Sequence, residues 1–248
     1  MTLLLLGLAA FWAGVQNALA GGGSFITFPA LLLLGMNAEA ANITSTIALF
    51  PGQVTTGLAN RHLVSGAAGL SFRTLCALSL AGGAIGAGLL LLTPVPLFDH
   101  LVPFLVLFAT LVFIWGSFRR GQRSAAHPLP PATAATAQFL IAIYGGYFGG
   151  GIGLLMLAAL TLAGLAVRPA GATKNVLAAV MNAAAVGIFL FSHQIHWRAA
   201  AIVAVCAMAG GALGAHLLNR VPDRALRLGV IAIGLALTLA MFVRAGYL

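Results

Sequence analysis

The sequence predicts an all-α, polytopic membrane protein of two inverted repeats, each of about five helical segments that include a short glycine-broken or re-entrant pair. Three observations predict it. The 248-residue chain is 61% hydrophobic and only 6% charged, with a mean hydropathy of +1.08, too little charge to cover a soluble domain of this length. The triplet Gly21-Gly22-Gly23 recurs as Gly149-Gly150-Gly151, each time interrupting an apolar run. Arginine, finally, gathers in alternate loops, as in the cytoplasmic loops of membrane proteins.

The apolar runs fall at 3–20, 24–35, 40–60, 72–93, 97–118, 134–148, 152–166, 172–191, 198–219 and 226–246. Most are long enough for the roughly 20 helical residues that cross a ~30 Å hydrocarbon core. The runs at 24–35 and 152–166 are short, and each follows a glycine triplet directly. Glycine is the poorest ordinary helix former, so a triplet invites a break. Broken backbone at membrane depth is tolerated where it is buried in protein or lines a watery cavity. Two matched breaks therefore point to a transporter with a central site.

The hydrophilic stretch GQRSAAHPLPP divides the chain into a first membrane repeat (1–118), a cytoplasmic linker (119–132) and a second repeat (133–248) within one integrated transmembrane domain. The halves align in order. GGGSFITFPALLLLG faces GGGIGLLMLAALTLA, and ANITSTIALF faces AGATKNVLAA. Phe72-Arg73 faces Trp197-Arg198, and AGGAIGA differs from AGGALGA only at Ile85 against Leu213. So many ordered blocks indicate an internal duplication. Five segments per half is an odd number, which inverts the second half. Loop charge agrees. Arg61 to Arg73 and Arg119 to Arg123 mark one side in the first half, whereas Arg168 to Lys174 and Arg220 to Arg227 mark the non-equivalent loops in the second. Arg198 is the single exception. Both termini are then expected outside the cytoplasm, in a protein of the cell inner (plasma) membrane. The N-terminus lacks a positive n-region, so its first apolar segment is expected to stay in the fold.

The candidate substrate site begins with the breaks: Gly21, Gly22, Gly23 and Ser24 in one half, Gly149, Gly150 and Gly151 in the other. Freed N–H groups at the start of a short helix suit an anion. The second part is the polar residues that follow: Asn42, Thr44, Ser45 and Thr46, with Thr173, Lys174 and Asn175 facing the last three. Their side chains have two uses open, capping helix starts or meeting a ligand. Lys174 is the only lysine of the chain. It is either a substrate ligand or an anchor that snorkels to the cytoplasmic interface. Asn17, Gln53 and Asn182 are helix-buried amides that need partners, whether substrate or a neighbouring helix.

Other function classes are disfavoured. Glu39, Asp99 and Asp223 are the only acids, none mid-segment, so no carboxylate pair serves catalysis and no intramembrane acid forms an obvious proton relay. Cys76 and Cys206 are read as small buried hydrophobes. No metal-ligand spacing, P-loop or basic stripe with interleaved aromatics occurs, so no enzyme activity, cofactor or nucleic acid is expected. The expected partners are a small anionic substrate and the lipid bilayer. A homodimer stays open, because a face such as AGGALGA can bury against the other repeat or a second protomer.

The blocks NALAGGGSFITFPALLLLG, ANITSTIALFPG and YGGYFGGGIGLLMLAALTLAG resemble the sulfite exporter TauE/SafE family of membrane permeases, and the similarity spans the chain. The resemblance implies a secondary transporter, in the export direction, of small sulfur-containing anions such as sulfite or organosulfonates. It implies motif positions at Gly21 to Gly23, Pro29, Thr44, Ser45, Gly149 to Gly151 and Thr173. Leu157, where the first half has Pro29, departs from that symmetry. The residue reading agrees in sign, since hydroxyls, helix starts and a lysine suit an anion. A transporter of another small organic acid, or a structural subunit of a membrane complex, is the alternative. Moving one charge through the membrane potential is worth about 2.3 kcal/mol per 100 mV. An interior-negative cell would thus drive an anion outward without a coupled ion.

Overall fold

The computed structural model describes residues 2–19, 22–59, 61–118, 129–217 and 223–247. They form ten α-helices: α1 (Thr2–Leu19), α2 (Ser24–Leu33), α3 (Ala38–Ala59), α4 (Phe72–Leu92), α5 (Val95–Phe118), α6 (Pro131–Tyr147), α7 (Ile152–Leu162), α8 (Val167–Phe189), α9 (Trp197–Leu217) and α10 (Asp223–Arg244). The protein is an all-α, multi-pass membrane protein. Among the described residues, four stretches are long and apolar enough to cross a bilayer: Phe72–Leu92, Val95–Trp115, Arg168–Phe189 and Trp197–Gly214. α3 is not among them, although it has 22 residues, because Asn42, Thr44, Ser45, Thr46, Gln53, Thr55 and Thr56 interrupt it. α2 and α7, with 10 and 11 residues, reach about 15 Å at 1.5 Å per residue, half the hydrocarbon thickness.

Local chemistry sets the ends. The Ser71 hydroxyl accepts from the Thr74 N–H at 3.1 Å and caps α4. The Asn37 amide oxygen accepts from the Ala40 N–H at 2.7 Å at the start of α3. Pro131 opens α6 where its missing N–H costs nothing. α7 stops at Gly164, whose φ of 97° lets its own N–H reach Thr161 O while the Leu165 N–H reaches Leu160 O.

The two halves interlock. α1 packs on α9 and α6 packs on α4, so the first helix of each half leans on the fourth helix of the other. α3 crosses α8, α5 pairs with α10, α3 and α4 lie against α9 and α8, and α2 and α7 reach α10 and α5. Exchanging α1–α5 with α6–α10 maps each of these pairs onto another or onto itself.

The glycine motifs in full-length helices explain the closest contacts. A Cβ at Gly82 would lie 2.8 Å from the Phe139 carbonyl oxygen, and one at Gly210 would collide with that of Phe11. Those are equivalent contacts in the two halves. Gly86 likewise abuts the Ile143 carbonyl, and Gly14 that of Ala207. AGGALGA therefore spends Gly210 on the other half of its own chain, and this glycine is not free for a second protomer. Dispersion between closely approaching backbones replaces the hydrophobic drive that lipid removes. Residues 119–128 and 218–222, with Arg119, Arg120, Arg123 and Arg220, lie outside the described residues.

Gly86→Val and Gly210→Val should each destabilise the detergent-purified protein by about 1–3 kcal/mol, because backbone must move. Gly88, with nothing within 4 Å of an added Cβ, is the control. Gly88→Ala should leave the melting temperature unchanged or raise it by the equivalent of about 0.5–1 kcal/mol. Equal losses at all three positions would refute the packing role.

Candidate substrate site

Both glycine triplets break their helices, but in different ways. Between α1 and α2, Gly22 has a φ of 82° and Gly23 stands in helical conformation as the N-cap. Gly21 lies outside the described residues. α1 then returns two side chains to the break. Gln16 Nε2 donates to Gly22 O at 3.2 Å, and Asn17 Oδ1 accepts from the Gly23 N–H at 3.4 Å. Thr27 Oγ1 donates to Gly23 O at 3.3 Å.

The second break has no such lining. Gly149 and Gly151 have φ of 80° and 73°, which favours glycine at both. The positions equivalent to Gln16 and Asn17 are Tyr144 and Gly145. Among the described residues, the N–H groups of Gly150, Gly151, Ile152 and Gly153 donate to no protein acceptor. Four open donors thus lie in succession at the start of α7, where the helix dipole is positive. Lys174 Nζ stands beside them, 3.6 Å from where a Cβ of Gly153 would be.

A cavity of about 100 Å³ joins the two breaks. One water occupies on the order of 10–15 Å³ by the same measure, so it has room for a small oxyanion and a few waters. From α3 it takes Asn42, Ser45, Thr46, Leu49, Gln53 and Thr56, spaced at three or four residues on one helix face. From α8 it takes Lys174, Asn175, Ala178 and Asn182 in the same way. Asn17, Gly22, Gly23 and Ser24 line it from the first break, and Gly149, Gly150 and Gly151 from the second. Phe25, Phe28, Phe148, Val106 and Leu237 make an apolar wall. Among the described residues, no carboxylate lines it.

The polar side chains are held by one another. Ser45 and Thr27 share a hydrogen bond of 2.6 Å. Asn42 Nδ2 donates to Tyr147 O at 3.0 Å, tying α3 to the end of α6 just before the second break. Asn182 Nδ2 donates to Gln53 Oε1, a bond between equivalent residues where α3 crosses α8. These amides are oriented before any ligand arrives.

Thr44 and Thr173 do not line the cavity. Both are fully buried and bind loops of the opposite half. Thr44 Oγ1 accepts from the His196 N–H at 3.3 Å. Thr173 Oγ1 accepts from the Ser65 N–H at 3.1 Å and donates to Ser65 O at 3.4 Å. The reason is helical register. Neighbouring residues point about 100° apart, so a face through Ser45 or Lys174 turns the preceding threonine away. The same register would have found Thr56 from sequence. Phe148 and Leu237 carry no such signal, since they come from other helices. Among the described residues, no three His, Cys, Asp or Glu cluster as a metal site.

A profile of the family described as "Sulfite exporter TauE/SafE" matches residues 6–241. A "Probable membrane transporter protein ORF9" of a Sinorhizobium species is 31% identical, over 86% of this chain and 82% of its own length. A "Probable membrane transporter protein" of Haemophilus influenzae is also 31% identical, over 84% and 80%. The "Probable membrane transporter protein YfcA" of Escherichia coli K12 is 28% identical, over 86% and 81%. With helices, cavity and profile match in agreement, the chain belongs to the sulfite exporter TauE/SafE family of membrane transporters.

Proposed function

We propose that the cavity binds a small sulfur oxyanion, sulfite or an organosulfonate, and that the protein exports it from the cytoplasm by alternating access between two inverted repeats. The observation that carries this reading is the set of four open N–H donors at the start of α7 beside Lys174, in a cavity without carboxylates. Hydrogen bonds to a charged partner contribute about 1.5–3 kcal/mol each. Several are needed to offset the loss of an anion's hydration. The reference to sulfite in the family description points the same way.

The apolar wall of Phe25, Phe28 and Phe148 favours an organosulfonate over inorganic sulfite. A sulfonate head would sit at the α7 start with its carbon substituent toward those rings. The exchange-symmetric packing supports the inverted repeat. The alternating loop charges support both termini outside, in the inner membrane. Rocking of the halves would then turn on the α3–α8 crossing, where Gln53 and Asn182 meet. An inside-negative potential would drive export at about 2.3 kcal/mol per charge and 100 mV.

Two measurements test this. Thermal shifts of the purified protein should rise with a saturating sulfonate, by the equivalent of about 2.7 kcal/mol at 100 times Kd. Lys174→Ala and Asn175→Ala should lose that response. Thr44→Ala should melt lower in the absence of ligand but keep the shift. Stabilisation by carboxylates alone would replace the substrate class, and no ligand response in any variant would favour a structural subunit. In proteoliposomes with equal pH on both sides, methanesulfonate flux should follow the imposed potential in sign and size. Flux indifferent to potential would rule out electrogenic export.

A further inference from the structure

Two arginines stand outside the lining of the cavity, at the end where that lining becomes accessible. Along the cavity face of α3, Asn42 and Ser45 are buried, Gln53 is partly buried and Thr56 is exposed. Along α8 the order reverses: Asn182 is buried, whereas Asn175 and Lys174 are partly buried. The end of α3 and the start of α8 lie together, since a Cβ at Gly57 would be 3.5 Å from Asn175 O. The accessible end of the cavity is therefore the one bounded by Thr56 and Lys174.

Helical register carries the cavity face of α8 beyond Lys174. Gly171 is three residues ahead of Lys174 and four ahead of Asn175, and Arg168 is seven ahead of Asn175. All four share one side of the helix. A Cβ added at Gly171 would meet nothing within 4 Å, unlike those at Gly82, Gly86 and Gly210. Close packing does not account for this glycine. It leaves bare backbone and open space between Arg168 and the cavity.

Arg168 stands in the first turn of α8 and is exposed. That helix start has no capping side chain and no acid in its first turn. The helix dipole disfavours a cation there, so Arg168 sits against its local preference and adds to a positive helix end. Arg61 comes from the other half. It opens a short 3-10 turn, Arg61–Leu63, which packs against α8. The chain is fastened on both sides of that turn: Gly57 lies against Asn175, and the Ser65 N–H donates to Thr173 Oγ1. Arg61 is exposed as well, and among the described residues neither guanidinium has a hydrogen bond or an ion pair. Membrane insertion asks for cations on one side of the bilayer. It does not ask for them at the accessible end of a cavity, one of them on the cavity face of α8.

Arg168 and Lys174 are six residues apart, about 9 Å along the axis at 1.5 Å per residue. The screening length at physiological ionic strength is about 8 Å. An anion passing Gly171 thus stays within reach of a cation throughout. Exposed charges hold a partner weakly, so such a pair captures and hands on rather than retains.

We propose that Arg168 and Arg61 form an outer anion site at the mouth of the cavity, which collects small singly charged oxyanions and passes them along the bare backbone at Gly171 to Lys174. The charge of the mouth is independent of the substrate; that the captured anion is the transported one rests on the function proposed above.

The mouth can be probed without any transported solute. In G171C, made on a C76A/C206A background, the new thiol should react faster with anionic sulfonatoethyl methanethiosulfonate than with the cationic trimethylammonioethyl reagent. The preference, each rate taken relative to a free thiol in solution, should be about tenfold at low salt. R168Q and R61Q should each reduce it and R168K should keep it. Salt at 1 M, where the screening length is about 3 Å, should erase it. A thiol that reacts with neither reagent, or a preference that both glutamine variants leave unchanged, overturns the proposal.

Methanesulfonate flux loaded from this side supplies the second arm. At low salt R168Q should raise KM by about threefold to tenfold, as lost steering does, with maximal flux unchanged. Attachment of the sulfonatoethyl group in G171C should stop flux by filling the path. Equal KM in R168Q and wild type overturns the delivery role. A charge preference in G171C that behaves as expected, with no methanesulfonate flux in the wild type, upholds the outer site and rejects the substrate reading instead.

Discussion

A bilayer interior offers the backbone no hydrogen-bond partner, and two interrupted helices have to live with that. Every helix start exposes N–H groups, and starting one inside the membrane requires that protein or water meet them. The first break meets part of the demand from its own chain: Asn17 accepts from the Gly23 N–H, and Gln16 donates to the Gly22 carbonyl. The second leaves four donors without a protein acceptor on residues that line the cavity. That difference leaves more open donors at the second break than at the first, although both line the same cavity.

Enclosing the breaks constrains the surrounding helices. The donors must be shielded from lipid, which requires the neighbouring helices to approach closely. Gly82, Gly86 and Gly210 permit it by placing bare backbone against the carbonyls of Phe139, Ile143 and Phe11. The crossing of α3 and α8 then presents two polar faces to the cavity, whose amides and hydroxyls bind one another. Thr44 and Thr173 fasten the backs of the same helices to loops of the opposite half. Packing and site thus use alternate faces of the same two helices.

The site is asymmetric although the fold is nearly exchange-symmetric. Ser45 bonds to Thr27 in one half, where the other half has Lys174 beside Gly153. An anion gains from a single cation and one open helix start. A second cation in so small a space would repel the first and need its own partner. The acids obey the same economy. Among the described residues they are absent from the lining of the cavity.

Much of this was legible in the sequence. Ten helices, two short ones after the triplets, and the polar clusters on the third helix of each half follow from hydropathy, glycine placement and duplication, because a membrane helix must satisfy its backbone locally. The assignment of polar residues to faces was partly legible. Register separates Ser45 from Thr44, yet only if the direction of the cavity is known. Tertiary structure alone decided that direction, the contribution of Phe148 and Leu237, and the closing of the first break by Gln16 and Asn17. It also decided that Glu39, apparently a loop acid, is largely buried. The reason is physical. Helix formation depends on neighbours within four residues, whereas the partner of a buried amide or acid depends on which distant helix is close enough to meet it.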